Sequence, residues 1–159
     1  MKYLAGFMVI VLLAAIGGVG YLYMTANLVV EATGLTTYAA VDQMAAFEDL
    51  NTRLGLSAVQ GTVFDASPLT RAEDYAFYTY TLRLRNDCFL DMDMIEVQIV
   101  PVEGDVLLMG DLQPKGLEAR STGDISATIL TRSGNHAVRE IVVTYYVWGE
   151  PHTLKTTYG

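Results

Sequence analysis

The sequence is poor in cysteine, and Cys88 is the only one among its 159 residues. A single cysteine excludes an intramolecular disulfide, and it also excludes any Cys-x-x-Cys metal or redox site. We expect the Cys88 thiol to be buried and inert, as free cysteines usually are. An intermolecular disulfide or a reactive thiol is the alternative.

Basic residues are also scarce, with 10 Lys plus Arg against 18 Asp plus Glu. Lys2 is the only charged residue before Glu31, so the rest of the chain carries nine basic and eighteen acidic side chains. An acidic surface repels phosphate backbones, which argues against nucleic acid as a partner. Solubility is the plainest interpretation of the negative charge.

Sequence signatures of catalysis are missing as well. There is no glycine-rich phosphate loop and no His-Glu-x-x-His motif, and Ser133 lacks the strand-turn-helix setting of a nucleophile elbow. We therefore predict no catalytic residue, no cofactor and no enzymatic activity. His136 and His152 lie in predicted turns, and a transition-metal contact would require these two loops to meet. An envelope hydrolase or metal-binding protein stays an alternative.

The chain does have one long apolar run. Residues 3–30 carry no charged side chain, and 4–24 are almost wholly apolar. A helix of that length covers the ~30 Å hydrocarbon core of a bilayer. We predict that 1–30 is an uncleaved signal anchor, with Lys2 in the cytoplasm and the acidic domain outside.

Three alternatives concern the same segment. A peptidase could cut at Gly17–Gly20, which would make the run a cleaved signal. Gly6-Phe7 before an apolar run resembles the processing site of type IV pilins, although Val11 stands where pilins carry a glutamate. Ala14 and Gly18 form a small-xxx-small pair through which two helices could associate into a homo-oligomer.

An amphipathic helix is predicted over 36–54, within a juxtamembrane segment at 31–57. Thr36 or Thr37 can cap its start, and Gly55 lies where a left-handed residue should follow its end. An apolar stripe recurs at near-helical spacing and consists of Ala40, Met44, Phe47, Leu50 and Leu54.

From residue 58 the apolar period changes to two, which indicates strands. We predict seven, over 59–64, 75–85, 89–100, 106–112, 125–129, 138–148 and 153–158, with a hairpin turn at 132–135. In the third predicted strand, the alternation of apolar and polar residues shifts by one position between Met94 and Ile95, which predicts a β-bulge there.

The strand pattern from 58 to 158 resembles membrane-anchored bacterial envelope proteins with an immunoglobulin-like β-sandwich. The similarity rests on Tyr78-Thr-Tyr-Thr-Leu-Arg-Leu-Arg-Asn86, on Ile95-Glu-Val-Gln-Ile-Val-Pro101 and on Val143-Thr-Tyr-Tyr-Val-Trp-Gly149. The expected fold is mainly β: a transmembrane helix, a short amphipathic helix, and a seven-stranded antiparallel Greek-key sandwich over 58–159. No activity transfers from this resemblance. The apolar anchor, the orientation set by Lys2 and the lack of catalytic motifs predict a non-catalytic interaction or structural module of the cell envelope.

The densest acidic group is a weak candidate for calcium binding. Asp87, Asp91 and Asp93 supply carboxylate oxygens, the ligands that calcium prefers, but their spacing matches no calcium loop. A solvated strand face that discourages edge-to-edge aggregation is the alternative.

Aromatic residues are more numerous than one face of a small sheet needs to bury. Tyr145 and Tyr146 are adjacent in a predicted strand, so at least one of them must face away from the core. Exposed aromatic side chains favour contact with a protein or glycan. The predicted interaction surface consists of Tyr75, Phe77, Tyr146, Trp148 and Tyr158.

Overall fold

The computed structural model describes residues 2–110 and 115–158. Its first element is the helix α1 (Lys2–Met24), whose span from Tyr3 to Met24 is long and apolar enough to cross a membrane and is 0% buried. This confirms the apolar helix, whose length and composition fit a signal anchor and a signal peptide equally well. The side chain of Lys2, on which the predicted orientation depends, lies outside the described residues.

The rest of the chain forms two antiparallel sheets and a second helix. The five-stranded sheet has the order β1-β3-β7-β5-β2 and the four-stranded sheet the order β6-β4-β8-β9. The elements after α1 are β1 (Leu28–Ala39), a 3₁₀ helix (Ala40–Gln43), α2 (Met44–Gly55), β2 (Thr62–Val63), a 3₁₀ turn (Ala72–Asp74), β3 (Tyr75–Asn86), β4 (Met92–Ile99), β5 (Asp105–Gly110), β6 (Lys115–Leu117), β7 (Thr122–Arg132), β8 (Arg139–Val147) and β9 (Glu150–Tyr158).

The two sheets face each other as a β-sandwich, which confirms the predicted fold class. From β4 to β8 every strand lies in the opposite sheet from its predecessor, so the chain crosses the core repeatedly. The turn at 132–135 therefore links the two sheets, and the prediction of a hairpin there was wrong. The described residues hold nine strands instead of seven, because β1 and β6 were missed. The end of the strand predicted over 106–112 lies outside the described residues.

The predicted amphipathic helix begins too early. Residues 36–39 belong to β1, which pairs with β3 from Leu28 to Ala39. α2 starts at Met44 after Gln43, which makes no side-chain capping bond, so the predicted threonine caps were wrong. At the other end Gly55 is still helical, and Ser57 adopts the left-handed conformation at φ 53°.

The predicted β-bulge in β4 is confirmed. The register of β4 against β6 shifts between Met92 and Ile95, and its register against β8 shifts between Asp93 and Glu96. Met94 lies at the irregularity with φ 49° and is exposed. The extra residue lets Met92 and Ile95 both point into the core despite their odd spacing.

The core has two parts. The larger lies between the sheets and contains the even-numbered residues of β3 from Ala76 to Leu84. The smaller lies on the outer face of the five-stranded sheet, where Phe47 and Leu50 of α2 cover Tyr75 and Phe77. Phe47 and Leu50 of the apolar stripe predicted for the helix therefore pack on the sheet, whereas Met44 is exposed.

A buried ion pair lies within the sandwich beside the start of β8. Arg139 Nη2 lies 2.7 Å from Asp105 Oδ1, and both side chains are 0% exposed. Arg139 Nε also donates to Asp105 Oδ2 at 3.0 Å, while Nη1 donates to the carbonyls of His136 and Val138. Asp105 Oδ2 accepts a further bond from Val102 N–H at 2.8 Å. Each guanidinium nitrogen of Arg139 and each carboxylate oxygen of Asp105 thus has a hydrogen-bond partner, as a buried charge requires.

Candidate interaction surfaces

Strand register defines two ends of the sandwich. Leu28 at the start of β1 pairs with Asn86 at the end of β3, and Arg85 pairs with Thr122 at the start of β7. We call this the α1 end. It carries the loops 25–27, 87–91 and 118–121 and the β8–β9 turn. The opposite end, which we call the α2 end, holds Ala39, the start of β3 and the start of β8.

α1 is joined to the sandwich almost without a linker. Thr25 N–H still donates to Tyr21 O at 3.0 Å and Ala26 N–H to Tyr23 O at 3.2 Å. Ala26 is already buried in the core between the sheets, followed by Leu28. The last turn of the helix therefore runs directly into the fold.

Tyr23 ties that last turn to the four-stranded sheet. Its ring lies 5.4 Å from the ring of His152, which stacks on Tyr145 at 5.4 Å and an interplanar angle of 16°. Among the described residues, His152 Nε2 is buried and has no hydrogen-bond partner. The helix thus contacts the sandwich through an aromatic side chain as well as through the backbone.

The five predicted interaction aromatics do not form one surface. Tyr75 and Phe77 are each 6% exposed beneath α2, so the prediction of an exposed role for them was wrong. Tyr158 packs edge-on against Tyr80 at the α2 end. Tyr146 is half-buried on the outer side of β8, whereas its neighbour Tyr145 faces the core. Trp148 is 56% exposed in the β8–β9 turn at the α1 end.

A groove between α2 and the five-stranded sheet was not predicted. It encloses about 530 Å³ and is lined by apolar side chains that include Leu50, Phe77 and Met109. Tyr38, 47% exposed, stands beside it at the end of β1. The groove exists because α2 covers only part of the sheet face, and we call it the α2 groove.

The rim of the α2 groove is polar. Asp49 and Arg53 form an i,i+4 ion pair at 2.8 Å on the helix side. On the sheet side the hydroxyls of Thr79 and Thr128 lie 2.9 Å apart. An apolar floor within a polar rim is the usual composition of a small recognition site.

The calcium candidates are not brought together. Asp87 pairs with Arg85 at 3.1 Å, and Asp91 Oδ1 accepts a bond from Ala119 N–H at 2.8 Å. Asp93 is exposed beside the bulge. In the described part of the chain no three His, Cys, Asp or Glu side chains are placed to hold a metal ion. The three aspartates therefore do not converge as the calcium hypothesis required.

The two histidines lie at opposite ends of the sandwich. His152 pairs with Tyr145 near the α1 end, whereas His136 precedes Arg139 at the α2 end. Five further residue pairs of the β8–β9 ladder separate these positions. The loops that carry them do not meet, so the hypothesis of a shared transition-metal contact was wrong.

Cys88 and Tyr80 are buried polar groups of the core. The Cys88 thiol donates to Asn86 Oδ1 at 2.8 Å, and the side chain is 4% exposed. The expected burial of the thiol is thus confirmed. Tyr80 donates its hydroxyl to Ala137 O at 2.7 Å, and burial raises its pKa to about 12.

Comparison with solved structures finds β-sandwiches. The chain is similar to the crystal structure of a FixG-related protein from Vibrio parahaemolyticus, with 12% identity, a TM-score of 0.36, and coverage of 81% of this chain and 96% of that one. It is also similar to the GAE domain of yeast GGA1, with 11% identity, a TM-score of 0.39, and coverage of 57% and 94%. No family model matches the chain, and no curated protein matches it. At such identities the likeness concerns the fold alone.

Proposed function

We propose that the protein is a single-pass membrane protein that displays a non-catalytic β-sandwich outside the cytoplasm. In this proposal the sandwich is an interaction module of the cell envelope. The observation that carries it is the junction at Ala26, where a fully exposed apolar helix passes into the core of the sandwich. Such a helix would be unfavourable in a water-soluble fold, because exposing its apolar surface to water costs free energy.

We propose an anchor and not a cleaved signal, because the apolar run continues past Gly17–Gly20 to a length that spans a bilayer. The Tyr23 ring packs on His152, so the last turn of α1 contacts the sandwich. A cut at Gly17–Gly20 would keep this contact and remove most of the apolar helix. The predicted outward orientation rests on Lys2 and the acidic domain through the positive-inside rule.

The α2 groove supports the interaction role. Its floor of Leu50, Phe77 and Met109 is apolar and its rim carries the Asp49–Arg53 pair. Apolar anchors surrounded by hydrogen-bonding groups suit a protein segment, and the aromatic rings suit a sugar face equally. We propose a protein or glycan as the partner.

N-terminal sequencing of the mature chain, together with protease treatment of intact cells or protoplasts, tests the anchor. The proposal expects a start at Met1, recovery in the membrane fraction, and digestion of the sandwich from outside. A start within 17–21 would mean a cleaved signal, and a start at Phe7 would mean the pilin-like alternative. Full protection of the sandwich behind the membrane would contradict the outward orientation.

Site-specific crosslinking tests the interaction role. A photoreactive residue at Tyr38, beside the α2 groove, should give a discrete adduct in native membranes. The matched control is the same group at Lys155, which is exposed on β9 and remote from α2. Equal adducts at both positions, or none at Tyr38, would contradict a partner in the groove. Association through Ala14 and Gly18 stays a separate prediction, and both positions are open on the exposed helix.

A further inference from the structure

We propose that the α1 end of the sandwich inserts Phe89 and Trp148 into the outer interface of the bilayer that α1 spans. This inference rests on the proposed membrane anchoring and goes beyond it, because an anchor alone requires only α1. The partner is the lipid bilayer itself, contacted by loops of the folded domain.

The first argument is position. Four residue steps separate Met24 from Leu28, which span at most ~14 Å. The helix is exposed along its length and so projects away from the sandwich. The loops of the α1 end must therefore lie close to the surface of any bilayer that α1 crosses.

The second argument is Trp148, the only tryptophan of the chain. It occupies the two-residue β8–β9 turn with φ 53°, followed by Gly149 with φ 83°. Such turns favour Asn-Gly, and a bulky residue in the left-handed region is unfavourable. Its side chain is nevertheless 56% exposed, so no packing within the domain explains it. Tryptophan is enriched at membrane interfaces, where its ring meets both apolar and polar surroundings.

The third argument is Phe89, in a different loop at the same end. Its ring is 67% exposed. The guanidinium of Arg120 lies 4.2 Å from the ring centroid and comes from a third loop. An apolar ring beneath a long cationic side chain matches a bilayer interface, where the ring enters the acyl boundary and the cation stays among the headgroups.

Charge at this end indicates how the contact is made. The acidic side chains of the α1-end loops outnumber the basic ones, which opposes attraction to anionic lipids. Insertion of the aromatic rings must then supply the affinity for the bilayer. The α1 end should therefore bind phosphatidylcholine at least as well as an anionic lipid. The acids are Asp87, Asp91, Glu118 and Glu150, and the nearby bases are Arg85 and Arg120.

The fluorescence of Trp148 provides the test, because no other tryptophan contributes. The full chain is reconstituted in phosphatidylcholine vesicles, with and without bromine on the acyl chains near the headgroup. Bromine quenches only an indole in contact with the acyl region. We expect loss of Trp148 emission in the brominated vesicles, and the same loss from Trp148→Phe/Phe89→Trp.

The matched control moves the probe to the other end of the sandwich. Trp148→Phe/Tyr38→Trp places the indole at a position that is 47% exposed at the α2 end, and it should not be quenched. Equal emission with and without bromine for Trp148, in chain that floats with the vesicles, would overturn the insertion and leave the anchor intact. Blue-shifted emission without bromine quenching would mean that a second copy covers Trp148, which also overturns it. Failure of the chain to float would overturn the anchor and the insertion together.

Discussion

The ion pair between Asp105 and Arg139 gives a quantitative prediction about stability. Replacing Asp105 with alanine strands the Arg139 guanidinium inside the sandwich, where its side chain is 0% exposed. The change removes hydrogen bonds of 2.7 and 3.0 Å from Arg139 and one of 2.8 Å from Val102 N–H. Removing one partner of a buried pair costs about 3–5 kcal/mol. That is a large part of the roughly 5–15 kcal/mol that stabilises a typical domain.

We therefore expect Asp105→Ala to lower the free energy of unfolding by about 3–5 kcal/mol, measured by urea denaturation of the full chain in detergent micelles. The matched control is Glu140→Ala, which removes the exposed partner of Lys155 and should cost no more than about 1 kcal/mol. Adding Arg139→Met to Asp105→Ala removes the stranded charge and should recover part of the loss, because Val102 N–H still lacks its acceptor. Equal losses in Asp105→Ala and Glu140→Ala, or no recovery in the double variant, would refute the reasoning.

Three further predictions concern single side chains of the sandwich. Because folding raises the pKa of Tyr80 from 10.0 to about 12, its contribution to stability is complete below pH 10 and is lost as the pH rises through 12. Stability followed by circular dichroism should depend less steeply on pH in this range in Tyr80→Phe, and equal slopes would contradict the shift. Met94→Gly should raise the free energy of unfolding by up to about 1 kcal/mol, because the left-handed conformation at φ 49° costs a side-chain-bearing residue about that much; a lower urea midpoint would argue against strain at the bulge. Cys88 should react with a thiol reagent only after denaturation, because it is 4% exposed, and rapid labelling of the folded chain would be inconsistent with its burial.

Elements with one buried and one wet face could be predicted from the sequence. The alternation of β3 located that strand to within a residue, and the parity slip at Met94 located the bulge. In both cases the apolar side chains that carry the period are the ones that the core buries. The spacing of apolar residues therefore predicts the structure of those segments whose apolar side chains are buried in the core.

β1 could not be predicted because it is an edge strand with little burial. From Glu31 to Ala39 all its residues except Leu35 are exposed, so no period of two is present. Its threonines Thr36 and Thr37 suit a strand as well as a helix cap. Local preference was thus ambiguous, and pairing with β3 decided the conformation.

The α2 groove and the burial of Tyr75 follow from tertiary placement. Tyr75 and Phe77 lie on the outer face of β3, opposite the residues of the same strand that face the core between the sheets. α2 returns over that face and covers them with Phe47 and Leu50. No local pattern of residues determines where a helix will lie on a sheet. The loops of the α1 end are likewise brought together by the pairing register of the strands, which the local sequence does not show.

In the proposed anchored protein the short connection at Ala26 has a mechanical consequence, because only residues 25–27 separate α1 from β1. A spanning helix changes its tilt when the bilayer is thicker or thinner than its apolar length. Because the connection is so short, the sandwich must tilt by the same angle as the helix. The α2 groove lies roughly 30 Å farther out along β3, by strand rise, so a small lean swings it sideways by several ångströms. The thickness of the bilayer would then change the direction in which the α2 groove faces its partner.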